Sequence, residues 1–212
     1  MRLTAARPDQ GRYCAHMAFP YPVFLDLTGV AVLVVGGGPV ALRKAQGLAE
    51  AGAIVTVVAP TIVDGLVDVA AHVVQRRYES NDVEEFQLVM TATNDPAVNA
   101  QVGRDATARR IWVNSADDPD NCSFILPAVA RRGLITVAVS TGGSSPALAG
   151  RLRTDIATTH LTAATEFAAA DLGRQRAEIH ATGASTEDID WTERVEVALR
   201  GETESGAGQD AR

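Results

Sequence analysis

Three consecutive glycines, Gly36 to Gly38, stand between an aliphatic run and a segment of helical character. With the residues after them they fit the spacing G-x-G-x-x-A. In this pattern the first glycine permits a tight strand-to-helix turn, the second lets a pyrophosphate approach the backbone, and the last small residue packs helix on strand. N–H groups at the helix start then face the phosphates, although a proline removes one of them. The spacing predicts a dinucleotide site at Gly36, Gly37, Gly38, Pro39, Val40 and Ala41.

The acidic residue that holds the adenosine ribose in many such sites is missing. Where it usually follows the second strand, this chain has Ala59 and Pro60, which leaves backbone groups or Thr61 for the contact. No basic residue stands at either position to hold a 2′-phosphate, so NAD is expected rather than NADP. The glycine loop alone is also compatible with a turn that binds nothing.

Strands and helices alternate in the sequence around this loop. Aliphatic runs predict buried strands at residues 30–35, 54–58 and 88–92, a weaker strand at 69–77, and another that begins at Trp112 and ends in Asn114-Ser115. Apolar spacing, glycines and prolines predict helices at 39–51 and 95–109, and an acidic helical turn at 83–86. The alternation indicates an α/β fold, a Rossmann-like doubly wound parallel sheet with right-handed crossovers.

The pattern changes after the fifth strand. Residues 123–130 and 134–140 read as strands joined by a tight turn without a crossover helix, and therefore as an antiparallel β-hairpin. Ser144 or Ser145 is the expected N-cap of a helix with Pro146 in its first turn. Helical character continues to about residue 170, and a further helix is expected at 187–199. The expected organisation is a disordered extension (1–18), a Rossmann domain (19–116), a hairpin segment (117–145), a helical domain (146–200) and a disordered tail (201–212).

Composition excludes several classes of function. A net charge of −7 argues against binding nucleic acid through overall charge. No apolar run is long enough for a membrane span, and the N-terminus lacks the apolar core of a signal peptide. The two cysteines show no CxxC or metal-ligand spacing, which favours a reducing cytoplasm. The histidines form no H-x-x-x-H pattern, so no stable metal site is expected.

Three separated blocks resemble the precorrin-2 dehydrogenase family, the dehydrogenase and ferrochelatase part of siroheme synthases. They are VVGGGPVALRKAQGLAEAGA, TATNDPAVNAQV and NSADDPDNCSFILPAVARRGLITVAVSTGGSSPALAGRLR. The resemblance runs from about residue 19 to about residue 157. It implies NAD-dependent oxidation of precorrin-2 to sirohydrochlorin in siroheme or cobalamin biosynthesis. In some members the same site inserts Fe²⁺, or Co²⁺, held only in passing, and members are typically homodimers joined through the hairpin segment.

The resemblance also assigns roles to individual residues. Asp117 matches the family's essential aspartate, and Asp118 and Asp120 are the nearby alternatives in an acidic loop that is otherwise a solvated turn. The aspartate would act as general base for the proton lost on oxidation and for the pyrrole protons lost on metal insertion. The implied cofactor contacts are Pro60 and Thr61 at the adenosine, and Thr93, Asn94 and Asn114 at the carboxyl ends of the later strands.

The implied tetrapyrrole substrate carries many carboxylates, which require cations and hydrogen-bond donors. Arg131 and Arg151 are candidates for bidentate recognition, as are Arg132 and Arg153, although each is equally compatible with a solvated surface. The loop before the helix that begins near Pro146 offers hydroxyls and backbone donors to a substrate carboxylate, or is only a capped helix entrance. Its residues are Ser140, Thr141, Gly142, Gly143 and Ser144. Thr141 departs from the serine often found there. Cys122 is interpreted as a small buried hydrophobe.

Two further hypotheses compete with the enzyme. A nucleotide-sensing regulatory module, of the kind that gates ion transport, would share the Rossmann half but would not need the SADDPDNCSFILPA and STGGSSP blocks. A non-catalytic binding protein would be compatible with the missing ribose acid. Turnover that is lost in Asp117→Asn while NAD binding persists would distinguish the enzyme from both.

Overall fold

The computed structural model describes residues 21–116 and 118–201 of the chain. The extension expected at residues 1–18, Asp117, and all but the first residue of the expected tail lie outside the described residues. The chain divides into two compact units after Leu126. The finer domain boundaries expected from the sequence remain predictions.

Strands and helices alternate through the first unit and form a parallel sheet, which confirms the predicted Rossmann-like α/β fold. In chain order the elements are β1 (Ala31–Val35), α1 (Pro39–Glu50), β2 (Ile54–Val58), α2 (Asp64–Val69), β3 (His72–Val74), β4 (Leu88–Thr91), α3 (Pro96–Ala108) and β5 (Trp112–Ser115). The five strands lie in the order β3-β2-β1-β4-β5. The chain builds outward from β1 first to one side and then to the other. Ligands bind at the carboxyl ends of strands at such a switch point.

The central strand explains why the sequence shows continuous aliphatic runs. Val32 and Val34 of β1 pack into a core beneath α1, while Leu33 and Val35 point into the core beneath α3. A strand covered on both faces cannot alternate apolar with polar residues. The apolar spacing of α1 follows from the same packing, since Ala41, Ala45 and Leu48 are its buried residues.

The predicted strand at residues 69–77 is wrong in its extent. The structure has the helix α2 up to Val69 and only a three-residue strand, His72–Val74, at the edge of the sheet. Leu66 is the buried residue of α2, so this short helix lacks the repeated apolar spacing that would mark it in the sequence. The acidic turn also begins earlier than expected, as a 3-10 helix at Ser80–Val83.

An antiparallel hairpin opens the second unit, as predicted, with strands β6 (Ala128–Arg132) and β7 (Ile135–Val139). The predicted bounds of its first strand are wrong, because β6 begins five residues later than expected and includes Arg131 and Arg132, which were expected in the turn. The helices α4 (Pro146–His160), α5 (Ala163–Ala181) and α6 (Thr192–Arg200) follow. Of the two expected caps, Ser145 is the N-cap of α4, and its hydroxyl accepts a hydrogen bond from the N–H of Leu148 at 3.2 Å. Of the helices in the part of the chain that the structure describes, none combines the length and apolar character needed to cross a membrane.

Helical character does not run unbroken to residue 170. It stops after His160 and restarts at Ala163, because Thr162 and Thr165 form a reciprocal capping box. The hydroxyl of Thr162 accepts from the N–H of Thr165 at 3.2 Å, and the hydroxyl of Thr165 accepts from the N–H of Thr162 at 2.9 Å. The last helix likewise begins later than expected, at Thr192 instead of residue 187. At this start the side chain of Asp190 accepts a hydrogen bond from the N–H of Thr192 at 2.9 Å.

Candidate functional site

The glycine loop joins β1 to α1 at the carboxyl edge of the sheet. Gly36 has φ +132°, a conformation that side chains rarely adopt, and a Cβ atom there would collide with the carbonyl of Ala92. A Cβ on Gly37 would collide with the carbonyl of Thr61. A Cβ on Gly38 would meet nothing within 4 Å. The first two glycines are therefore required by the protein's own backbone, and the third borders open space, where a ligand can approach.

The remaining residues of the loop fit a pyrophosphate cradle. Ala41 is fully buried beneath the helix start, Val40 is exposed, and Pro39 occupies the first turn. Among the described residues, no side chain caps the start of α1. The N–H groups of this first turn are thus oriented as an anion-binding helix end requires. The arrangement fits the pyrophosphate of a dinucleotide.

The position of the missing acid is buried. Ala59 is 4 % exposed, and its methyl group would lie 3.0 Å from a Cβ on Gly37. Ala59 therefore packs close to the glycine loop with little access to solvent, whereas Pro60 and Thr61 are both exposed. The side-chain amide of Gln75 lies beside them and donates to the carbonyl of Pro60 at 3.4 Å. Sequence reasoning missed Gln75 because it placed this residue inside a longer strand.

Hydroxyl groups meet at the carboxyl ends of β4 and β5. Thr91 and Ser115 are buried, with their hydroxyl oxygens 3.0 Å apart. The hydroxyl of Thr93 lies 2.8 Å from the side-chain oxygen of Asn99, which also accepts from the N–H of Thr93. Asn94 is exposed. Of the two predicted nicotinamide-side residues here, Thr93 shapes the loop into α3 and Asn94 faces outward.

Asn114 is held at both ends of its amide. It is 7 % exposed, its oxygen accepts from the ammonium of Lys44 at 2.6 Å, and its nitrogen donates to the carbonyl of Phe124 at 3.0 Å. Lys44 lies on α1, so this contact joins the first helix to the end of the fifth strand. No local pattern in the sequence connects these two residues, which lie far apart along the chain.

The acidic loop folds back along β5. The N–H and hydroxyl of Ser123 hydrogen-bond to the backbone of Val113, and the sulfur of Cys122 accepts from the N–H of Ser115 at 3.1 Å. Cys122 is half-buried and its sulfur is hydrogen-bonded, so it is not the small buried hydrophobe that the sequence suggested. Asp117 lies outside the described residues. The carboxylate of Asp118 accepts from the side-chain amide of Asn121, whereas Asp120 is exposed.

The loop before α4 is held by its own hydroxyls. Ser140 accepts from the N–H of Gly142 at 3.1 Å, and Thr141 exchanges hydrogen bonds of 3.0 Å with the backbone of Ser145. Gly142 and Gly143 both have positive φ angles, and Ser144 is exposed. The loop therefore behaves as a capped helix entrance that leaves the Ser144 hydroxyl accessible.

The candidate arginines differ in what already holds them. Asp155 accepts from Arg151 at 2.8 Å and raises the pKa of that guanidinium, and Glu166 accepts from Arg132 at 2.8 Å. Arg131 is exposed, and the buried Nε of Arg153 has no hydrogen-bond partner among the described residues. Within residues 21–116 and 118–201, no three metal-binding side chains converge.

Comparisons with known proteins agree with this geometry. Residues 23–128 match a family of NAD(P)-binding domains, and residues 132–159 match the family described as sirohaem biosynthesis protein central. The first unit is therefore an NAD(P)-binding domain, and a nicotinamide cofactor is the expected ligand of its glycine loop.

Curated relatives and a solved structure extend the match. The siroheme synthase of Pseudomonas entomophila is 46 % identical over 136 residues, which cover 62 % of this chain and 29 % of the relative. The siroheme synthase of Methylococcus capsulatus is 47 % identical over 141 residues, which cover 65 % of this chain and 30 % of the relative. The chain thus spans less than a third of these relatives.

A solved structure, SirC, precorrin-2 dehydrogenase, superposes with a TM-score of 0.65 at 30 % identity, and the match covers 87 % of this chain and 90 % of that one. That likeness includes the sheet, the hairpin and the helices that follow. The chain belongs to the precorrin-2 dehydrogenase family, which it shares with part of the siroheme synthases.

Proposed function

We propose that this protein oxidises precorrin-2 to sirohydrochlorin with NAD⁺ as the hydride acceptor. The observation that carries the proposal is the open face of the glycine loop at Gly38, in a chain that matches a precorrin-2 dehydrogenase over 90 % of that protein's length. NAD⁺ supplies the acceptor for the hydride and its electron pair. The protein's own residues then bind the dinucleotide, orient the tetrapyrrole and take up a proton.

The proposed base is Asp117, which follows the last residue of β5 by two positions in the sequence. Removal of a hydride leaves the substrate with a proton to lose, and the carboxylate of this residue is proposed to accept it. Three residues are proposed to border the nicotinamide side: Thr93, Asn94 and Asn114. Among them, Asn114 is proposed to hold the surrounding chain in place, because both ends of its amide are hydrogen-bonded.

NAD⁺ is proposed over NADP⁺ because neither residue that follows β2, Ala59 or Pro60, is a cation that could hold a 2′-phosphate. Arg76, the nearest cation after β3, donates to both carboxylate oxygens of Asp82. Thr61 and the amide of Gln75 take the place of the missing acid as contacts for the ribose. The amide accepts from a ribose hydroxyl but does not repel a 2′-phosphate as a carboxylate would.

Replacing Gln75 with Glu is therefore expected to sharpen the preference for NAD. The carboxylate accepts a hydrogen bond from the ribose 2′-hydroxyl and repels a 2′-phosphate. The dissociation constant of NADPH divided by that of NADH should therefore rise about tenfold, roughly 1.4 kcal/mol. Fluorescence titration of NADH and NADPH measures both constants directly. Gln75→Ala is the control, and an unchanged ratio in Gln75→Glu would place the ribose elsewhere.

The substrate's carboxylates are proposed to contact Arg131, Arg151 and the loop of Ser140, Thr141, Gly142 and Ser144. Arg131→Ala is expected to raise KM for precorrin-2 about tenfold, because it removes an exposed guanidinium available for bidentate pairing. Arg151→Ala should raise it less, because Asp155 already pairs with Arg151. Steady-state kinetics of the two variants test this order, and a larger effect in Arg151→Ala would reverse the assignment.

A second activity, insertion of Fe²⁺ or Co²⁺ into sirohydrochlorin, is favoured by the relatives named siroheme synthase. The metal is a substrate here and needs only a passing ligand. A regulatory module does not account for the match of residues 132–159 to a sirohaem biosynthesis family.

We further propose a cytoplasmic homodimer: within the described residues β6 and β7 pair only with each other, which leaves two open strand edges.

The test is an anaerobic assay with precorrin-2 generated in the cuvette, followed by sirohydrochlorin absorbance with NAD⁺, with NADP⁺ and with neither. We expect formation that depends on NAD⁺, and addition of Fe²⁺ or Co²⁺ to the same cuvette then tests metal insertion. A folded protein that binds NADH but forms no sirohydrochlorin would overturn the enzyme and favour the regulatory module.

A further inference from the structure

Lys44 is the only lysine of the chain, and it does not lie on an open surface. It is half-buried on α1, at the border of the face that buries Ala41, Ala45 and Leu48. Its ammonium donates to the side-chain oxygen of Asn114 at 2.6 Å. A charge-assisted hydrogen bond of this length is stronger than a neutral one and costs more to break where water is excluded.

Asn114 passes this restraint to the acidic loop. The other end of its amide donates to the carbonyl of Phe124, on the chain that returns from the loop. Next to it, the sulfur of Cys122 accepts from the N–H of Ser115 and lies 3.4 Å from the carbonyl of Asp118. The start and the return of the loop are thus tied together around Asn114, and Asp117 belongs to the segment between them.

The helix that contains Lys44 begins directly after the glycine loop. Gly38 precedes the first turn of α1, and Lys44 lies further along the helix. A rigid helix therefore links the proposed dinucleotide site to the loop of the proposed base. Misplacement of a catalytic group by about 1 Å can cost on the order of a hundredfold in rate, so such a link affects turnover without any contact to substrate.

We propose that Lys44 is a positioning residue, which through Asn114 fixes the Asp117 loop relative to the helix that carries the cofactor site. This inference rests on the proposed function.

The test compares Lys44→Met, Lys44→Arg and Lys44→Gln with a matched control, Arg43→Met, which removes a charge from the exposed side of the same helix. For Lys44→Met we expect kcat to fall roughly 10- to 100-fold, while the dissociation constant of NADH, measured by fluorescence, changes less than about twofold. Lys44→Arg should recover most of the rate, and Arg43→Met should match the wild type.

Hydrogen exchange of the peptide covering residues 113–124 gives a readout that does not depend on activity. Exchange there should be faster in Lys44→Met than in Arg43→Met, with exchange in β1 and β2 unchanged. Equal rates and equal exchange in these two variants would overturn the inference. If Lys44→Met does not fold, Lys44→Gln decides, since a wild-type rate together with wild-type exchange at residues 113–124 in that neutral variant would overturn it.

A wild-type protein without turnover would refute the proposed function. The exchange comparison then still decides whether Lys44 orders the loop, because unchanged exchange at residues 113–124 overturns that as well.

Discussion

Asp117→Asn is expected to lower kcat for precorrin-2 oxidation by about two to four orders of magnitude, the range that a single general base contributes. Asparagine preserves the size of the side chain but cannot accept the proton that the substrate loses. Asp117 is not among the residues proposed to hold the dinucleotide, so the dissociation constant of NADH should stay within about twofold of the wild type. Anaerobic single-turnover kinetics, combined with NADH fluorescence titration, separates the loss of chemistry from a loss of binding.

The neighbouring aspartates provide the controls. Asp120 is exposed, so Asp120→Asn should behave as the wild type. Asp118→Asn loses the carboxylate that accepts from Asn121 and should reduce stability more than chemistry. A folded Asp118→Asn protein without turnover, beside an active Asp117→Asn protein, would transfer the base to Asp118.

The same substitution also addresses metal insertion. If one carboxylate accepts the pyrrole protons as well, Asp117→Asn should abolish insertion of Fe²⁺ into sirohydrochlorin supplied directly. Retained insertion in a variant that no longer oxidises precorrin-2 would show that the two reactions use different bases. Absorbance of sirohydrochlorin during addition of Fe²⁺ measures this without any dehydrogenase step.

Local sequence patterns predicted most of the first unit. The aliphatic runs in β1, β2 and β4 are dictated by burial on both faces of a parallel sheet, and α3 carries its start signals in Asp95, which caps it, and Pro96. Elements without a repeated pattern were missed or misplaced. The helix α2 has Leu66 as its buried residue, and the break after His160 depends on a Thr162–Thr165 capping box in which threonine stands where glutamate or glutamine is usual.

Sequence patterns predict the candidate site only where its residues lie at the ends of predicted strands. The sequence placed Gly36 to Ala41, Thr93 and Asn114 at or just after the ends of strands, where the structure has them, and their binding roles stay predictions. It did not reveal that Lys44 holds Asn114 or that Gln75 lies against Pro60, since each pair joins residues on different elements. These contacts follow from the order of strands in the sheet and the register of their neighbours, which single-sequence patterns do not carry.

The two adjacent glycines Gly37 and Gly38 should respond oppositely to the same substitution. A methyl group on Gly37 collides with the carbonyl of Thr61, and the backbone on both sides is fixed, because the carbonyl of Gly37 accepts from the N–H of Val63 at 2.9 Å. Overpacking of this kind costs about 1–3 kcal/mol. We expect Gly37→Ala to lower the midpoint of thermal unfolding by several degrees, roughly 2–4 °C per kcal/mol for a chain of this size.

Gly38→Ala should leave the fold nearly intact and reduce binding. Gly38 has φ −93° and ψ −172°, which alanine also adopts, and its methyl group would meet no protein atom within 4 Å. The methyl group would instead occupy the space where a pyrophosphate approaches the backbone. The dissociation constant of NADH should therefore rise about tenfold or more at a thermal midpoint close to that of the wild type.

Calorimetry and NADH titration of both variants test the pair. A wild-type affinity for NADH in Gly38→Ala would mean that the dinucleotide does not approach this face of the loop. The proposed orientation of the cofactor would then be wrong. Wild-type stability in Gly37→Ala would mean that the segment around Thr61 yields to the added methyl group.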